Sequence, residues 1–411
     1  LKAASAADLD FALPLAVKGI MMLGLRKPEL AVPAGKLLDA ARNARPPRTA
    51  RERAYIAALE AALAGRITGA VTAFESIARE HPHDLLALRL AQFELFWIGE
   101  VEWMRDISER AAPAWSDGDP GHGAYLAIRA FGLEETGDYR AAERCGRRAV
   151  EIDATDPWGA HAVAHVLVMQ GRLRDGIAWC EGLSDNWGAA NHIRHHNWWH
   201  LALFHTEAGA QDAALAIYDG RLRDLASPLL QAVPDFYVDI QNDVALLTRL
   251  ELRGVDVGDR WSDVGDLCAG RADNFTSPFT SAHCVLGLAA AGRRAEAAEM
   301  LAGMRAFAAE DAGTLGPRYA LAAIPAAAAA LAHRAGDMAG VIETLWPARR
   351  NLWAMGGSHA QRDLFFQLLA DALVREDRSD LLAIFFEEMG GIGLGHLEER
   401  ASYADALATL H

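Results

Sequence analysis

Eight glycines, Gly65, Gly99, Gly137, Gly171, Gly209, Gly254, Gly292 and Gly336, fall 34, 38, 34, 38, 45, 38 and 44 residues apart in a chain of 411 residues. A recurring spacing of this size marks stacked two-helix units, each burying its apolar face only against its neighbours. The residues around the glycines agree. Ala130, Tyr139, Ala142 and Ala149 surround Gly137, and Trp198, Leu201, Ala202, Ala214 and Tyr218 surround Gly209. Small and large residues at these offsets let the two helices of one unit approach closely. Hydrophobic residues make up 52 % of the chain, with Ala and Leu dominant, which favours helix over sheet. The expectation is an all-α fold without sheet, a right-handed, strongly curved α-α superhelix of about eight helix pairs. It is read as a single domain over 1–411, with N-terminal cap helices in 1–49, repeats in 50–345 and C-terminal capping helices in 346–411.

The 34-residue step is the tetratricopeptide period with small insertions. Charge and thiol content then narrow the partners. A formal net charge of −15 with no basic patch argues against a nucleic-acid backbone. Cys145, Cys180, Cys268 and Cys284 are scattered without a CxxC pair, as in a reduced, cytoplasmic protein. The apolar stretch Phe11 to Leu25 carries Pro14 and Lys18 and is too short to span a bilayer, so no membrane role is expected. The polar, Pro-containing stretch from Arg271 to Phe279 is longer than a helix connection needs and is expected to fold over one mouth of the superhelix.

A repeat scaffold does not explain where the histidines fall. Seven of the fifteen lie between His161 and His205. His161 and His165 form one i,i+4 pair and His196 and His200 a second, on consecutive first helices of two neighbouring units. Residues four apart share a helix face, and the glycine register turns both pairs toward the concave side. Trp158 and Trp199 share that side, His283 matches His200 one stretch further on, and Asp235, Asp239 and Asp243 follow helical spacing. Three chemistries fit. Four imidazoles with Asp239 could hold a metal. A neutral His oriented by Asp could act as a general base. Imidazole and indole faces could bind a polar or cationic ligand. His192, His195 and His205 read as flanking. The plain alternative is a ladder of hydrogen bonds bracing the helices.

Several motifs together resemble the tetratricopeptide repeat protein 38-like family. They are His161-Ala-Val-Ala-His165-Val with Gln170-Gly171-Arg172, His196-Asn197-Trp198-Trp199-His200, Asp219 after Tyr218, Gly258-Asp259-Arg260-Trp261, and Gly356-Gly357-Ser358-His359-Ala360-Gln361-Arg362-Asp363. The resemblance implies a superhelix of helix pairs, cytoplasmic use and a bacterial relative. His161, His165, His196, Asn197, His200, Asp239, Gln361, Arg362 and Asp363 carry over as motif matches, and no reaction comes with them. Asn242 stands where relatives often carry an acid, which weakens any role needing two carboxylates there. The glycine pair before Gln361-Arg362-Asp363 suits an anion at a helix start, with Arg362 holding it bidentately. A Ser358 N-cap is the bland alternative. If the array curls enough, this helix closes the pocket opposite the histidines.

The sequence therefore points to a repeat protein whose internal His/Asp/Arg-lined pocket binds a small polar, possibly anionic molecule. Hydrolytic chemistry is assigned to His165, His200 and Asp239. Substrate contacts fall to His161, His196, Asn197, Trp158, Trp199, His283, Gln361, Arg362 and Asp363. His161, His165, His196 and His200 are the metal candidates, with a divalent ion such as zinc as the cofactor to test. The competing reading is a non-catalytic scaffold holding a peptide or protein tail, and homodimer formation stays open.

Overall fold

A computed structural model describes residues 1–8, 11–44, 48–391 and 395–410. The described residues form helices joined by short turns, with no strand among them. The helices come in antiparallel pairs, and the eight periodic glycines sit at the turn inside each pair, all with φ between 67° and 84°. That left-handed conformation is the reason glycine recurs there. Helix starts are also written locally. Asp84, Asp138, Asp156 and Ser277 accept backbone N–H bonds as N-caps, and Thr49 with Glu52 forms a capping box.

Six helices position the site. They are α1 (His122–Glu135), α2 (Pro157–Met169), α3 (Ile193–Glu207), α4 (Tyr237–Leu252), α5 (Pro278–Ala290) and α6 (His359–Arg375). Helices α1 to α5 are the first members of successive pairs. In α2 every residue from Gly159 to Met169 is buried, as expected of a helix with a neighbour on every side. The neighbour on the inside of the curve is α6, which packs against α2 and α4. The chain's own helix therefore fills the concave side.

The array curls until its two halves meet. Thr314 N–H donates to Gly65 O at 3.0 Å, and Arg318 Nε donates to Ile98 O at 2.9 Å. At the closest approach a Cβ on Gly99 would lie 2.0 Å from Trp353 O, and one on Gly356 would lie 2.4 Å from Trp97 O. Only glycine lets these backbones touch. The stretch after Arg271 closes over the first helices, with Arg271 Nη2 and Asn274 Nδ2 both donating to Arg26 O. Residues 395–403 fold back as well. Gly395 N–H reaches Met169 O and Ala401 N–H reaches Glu207 O, each at 2.9 Å.

Candidate metal centre

Asp156 and Pro157 start α2 so that His161 and His165 face α3. Helix α3 presents His196 and His200 in return. One ring nitrogen from each of the four lies within 4.8 Å of the other three, and the side chains are buried, with residue exposures of 5, 0, 5 and 0 %. His161 Nε2 and His165 Nε2 are 2.9 Å apart. Two donors at about 2.1 Å from one ion and at right angles to it would have this spacing, roughly 3 Å. His196 is oriented from outside. Its Nδ1 donates to Asn242 Oδ1 at 2.8 Å, which leaves Nε2 as a lone pair, and its ring stacks on Trp199 at 5.1 Å and 8°. His200 has neither ring nitrogen bonded.

The electrostatics keep these rings neutral. Burial lowers the pKa of all four, reinforced for His161, His165 and His200 by neighbouring imidazoles and for His200 also by Arg249. His196 falls to about 4 through burial, against the pull of Asn242 and Asp239. Four buried neutral imidazoles have lone pairs available without first losing a proton, the state that binds a metal.

Glu134 and Glu135 at the end of α1 approach the same centre from the other side. Their carboxylates lie 3.6 and 3.9 Å from His165 Nδ1, at 0 and 2 % exposure. None of the four carboxylate oxygens makes a hydrogen bond of ordinary geometry, although the two carboxyls lie against each other and the His359 N–H approaches Glu135. Burial and then the adjacent Glu135 drive the Glu134 pKa far up. Burial takes Glu135 up to about 7, with Arg362 pulling it back. Phe131 of α1 walls the centre, its ring 5.1 Å from His161 and 5.2 Å from His165.

The remaining sequence candidates separate into other roles. Asp239 does not join His165 and His200. Its Oδ2 accepts from His192 Nδ1 at 2.5 Å and from His195 Nδ1 at 3.1 Å, because Asp239 lies in the first turn of α4, level with the start of α3, whereas His196 meets Asn242 further along. Burial pushes the Asp239 pKa up, but the two histidines outweigh it and hold the carboxylate ionised. His192 Nε2 is buried and unbonded, so the Asp-oriented imidazole expected of His165 or His200 is found at His192. Asp235 pairs with Lys27, and Asp243 lies 3.8 Å from Arg223, so the acidic trio is split three ways. His283 donates Nδ1 to Phe279 O and sits against Phe279 and Phe365, away from the four-histidine cluster. His205 is half-buried beyond the cluster.

Trp158 touches His161 edge-on at 5.9 Å but carries Arg89 over its own ring at 4.6 Å. Asn197 Nδ2 donates to Pro157 O, tying α3 to α2. On α6 the expected anion grip is otherwise engaged. Gln361 belongs to a capping box with Ser358, at 3.0 and 3.1 Å. Asp363 accepts from Arg400 at 2.6 Å, Tyr403 at 2.6 Å and Gln367 at 2.8 Å. Arg362 does point inward, as a closing helix requires. It donates to Gly357 O and offsets the charge of Glu134 and Glu135.

A cleft of about 350 Å³ runs from the surface to Arg362 and His359, lined also by Arg349, Arg350, Trp353 and Phe366. Both α6 residues also neighbour Glu135, and His359 neighbours His165, although neither acid lines the cleft itself.

Glu134, Glu135 and His359 are the site residues that sequence reasoning passed over. The signal for the acids was their setting. Tyr125 to Leu133 is apolar or glycine apart from Arg129, so two acids closing that run lie on a helix with little solvent-facing surface. No helix among the described residues is long and apolar enough to cross a membrane. No protein-family model matches the chain.

Proposed function

We propose that the chain binds a divalent transition metal through His161, His165, His196 and His200 and uses it to hydrolyse a small polar molecule. The observation that carries this reading is the convergence of four buried, neutral imidazoles, one nitrogen from each lying within 4.8 Å of the other three. All-nitrogen sites of this kind suit zinc, iron, nickel or copper over magnesium or calcium. A bound ion would act as a Lewis acid and lower the pKa of water. Glu134 and Glu135 lie 3.6 and 3.9 Å from His165 Nδ1 and offer carboxylate oxygens beside that centre. The cleft lining carries Arg349, Arg350 and Arg362 against Glu388, which pairs with the first two, and this net positive balance favours an anionic substrate. His192 and Asp239 form a separate dyad at the start of α3, before the cluster, that suits proton transfer.

The family reading is part of this proposal and rests on the motifs at 161–172, 196–200 and 356–363. The four free thiols agree with a reducing, cytoplasmic setting. The peptide-groove alternative is disfavoured because α6 covers the inner face at the histidines.

Elemental analysis of protein purified without chelator, followed by titration with Zn²⁺, tests the reading. At least one tightly held equivalent is expected, lost in His165→Ala and His200→Ala while helix content is unchanged. A chelator should abolish hydrolysis of a panel of small anionic esters and amides. Wild-type protein that binds no transition metal at micromolar concentration would overturn it.

A further inference from the structure

Glu134 and Glu135 are not explained by one ion among four histidines. Their four oxygens and His165 Nδ1 are all buried and make no hydrogen bond of ordinary geometry, although the two carboxyls lie against each other and the His359 N–H approaches Glu135. Buried polar atoms are normally well satisfied, so five poorly satisfied ones at one spot call for a cause. The distances supply a hint. Glu134 Oε2 and Glu135 Oε1 stand 3.6 and 3.9 Å from His165 Nδ1. These gaps exceed an N–H···O bond. They match two donors sharing one ion: at about 2.1 Å each and an angle of roughly 120–135°, donors lie roughly 3.6–3.9 Å apart.

We infer that Glu134, Glu135 and His165 Nδ1 form a second metal site, so that His165 is shared, through Nε2 with the four-histidine site and through Nδ1 with the acid pair. The inference rests on the metal reading of the four histidines and adds a second ion to it. Two carboxylates and a nitrogen suit a harder divalent ion than four imidazoles do, or the same ion with more oxygen character. The ligand charges fit. A divalent ion between two carboxylates is neutralised, while Arg362 keeps its bonds to the carbonyls of Gly357 and Gly356. His165 binds both ions as an imidazolate, and its ring proton is released to solvent as the second ion enters. Paired ions, one on each side of a reacting group, are a recurrent arrangement for hydrolysis. His359 and Arg362 line the surface cleft and also neighbour Glu135, so they connect the two.

The rival account needs no second ion. One proton would be shared between the two carboxyls, with Arg362 balancing the remaining charge.

Titration with Zn²⁺ and with Cu²⁺, read by elemental analysis after gel filtration, separates the accounts. Two equivalents are expected in the wild type and one in Glu134→Gln/Glu135→Gln. In the wild type loaded with Cu²⁺, two ions joined by an imidazolate couple magnetically, so the electron paramagnetic resonance spin count should fall well below the copper count. This measurement needs no variant to fold. A single equivalent in the wild type, or two that survive the double substitution, would overturn the second site and leave the four-histidine site standing. No bound metal at all would overturn both.

Discussion

Replacing His200 with leucine should stabilise the metal-free protein. Both ring nitrogens of His200 are buried without a partner, among the rings of His165, His196, Trp199 and His161 at 4.4 to 5.2 Å. A buried polar group left unsatisfied costs about 1–3 kcal/mol. Leucine is similar in volume and removes two such groups, while giving up the edge-on contact with the Trp199 ring, worth about 0.5–1.5 kcal/mol beyond its area. Taking the low end of the polar cost for both nitrogens, the balance is a gain of about 1 kcal/mol. For a chain this long that corresponds to a rise in Tm of about 1–2 °C, extending the size dependence of unfolding entropy. The assay is thermal and urea unfolding of wild type and His200→Leu, first in chelator and then in excess Zn²⁺. A ligand at 100 times its Kd adds about 2.7 kcal/mol to the wild type, and the variant should gain little. The order of stability should therefore reverse when metal is added. Should His200→Leu be several kcal/mol weaker in chelator, with the wild type indifferent to metal, the histidines would be braces and the argument for a metal centre would fail.

Acid should weaken the fold in a defined window. Burial depresses His161, His165, His196, His200, His283 and His359, with His196 and His283 at about 4 and His359 at about 3. Below pH 6.5 the unfolded chain takes up protons that the folded chain refuses, so stability falls as pH drops from 6.5 toward 4, by up to about 1.4 kcal/mol per pH unit for each such residue. Glu135 opposes this between its ordinary value of 4.5 and about 7, where the folded state holds a proton the unfolded state has lost. Urea unfolding at pH 7, 6 and 5 should show a net decline, and a flat profile would contradict the burial of the six rings. A second test concerns the C-terminal anchor. Arg400→Met leaves Asp363 and Glu207 buried without their shared cation, which should cost about 3–5 kcal/mol and expose residues 395–410 to limited proteolysis; resistance equal to wild type would show that the anchor is dispensable.

The helix pairs and the four-histidine cluster were legible because each depends on local spacing. A glycine every 34 to 45 residues reports a left-handed turn, and an i,i+4 pair reports a shared face. What failed was the choice of partner for residues whose neighbours lie far along the chain. Read from the sequence, Asp239 belongs with His165 and His200, yet it stands in the first turn of α4 and meets the start of α3 at His192 and His195, while Asn242 meets His196 further on. A single helical turn separates the two clusters, and proximity in sequence hides the division. Gln361 and Asp363 read as site residues from their motif. Ser358 had already marked Gln361 as a capping partner, whereas the cation for Asp363 lies at Arg400, which no local pattern connects to it.

The closure of the array and the chemistry of its centre depend on one another. Glu207 lies on α3, the helix that carries His196 and His200, and Arg400 binds Glu207 and Asp363 together at 2.9 and 2.6 Å. That buried bridge ties α6 to α3. Helix α6 in turn brings Arg362 and His359 beside Glu134 and Glu135, and it shuts the concave face against bulk water. Were α6 to leave, the four imidazoles would be rehydrated, their pKa values would return toward 6.5, and they would be partly protonated near neutral pH. A curved repeat array alone offers an open groove. Here the last first-helix of the chain turns that groove into an interior, and the interior keeps four histidines neutral and ready to bind a metal.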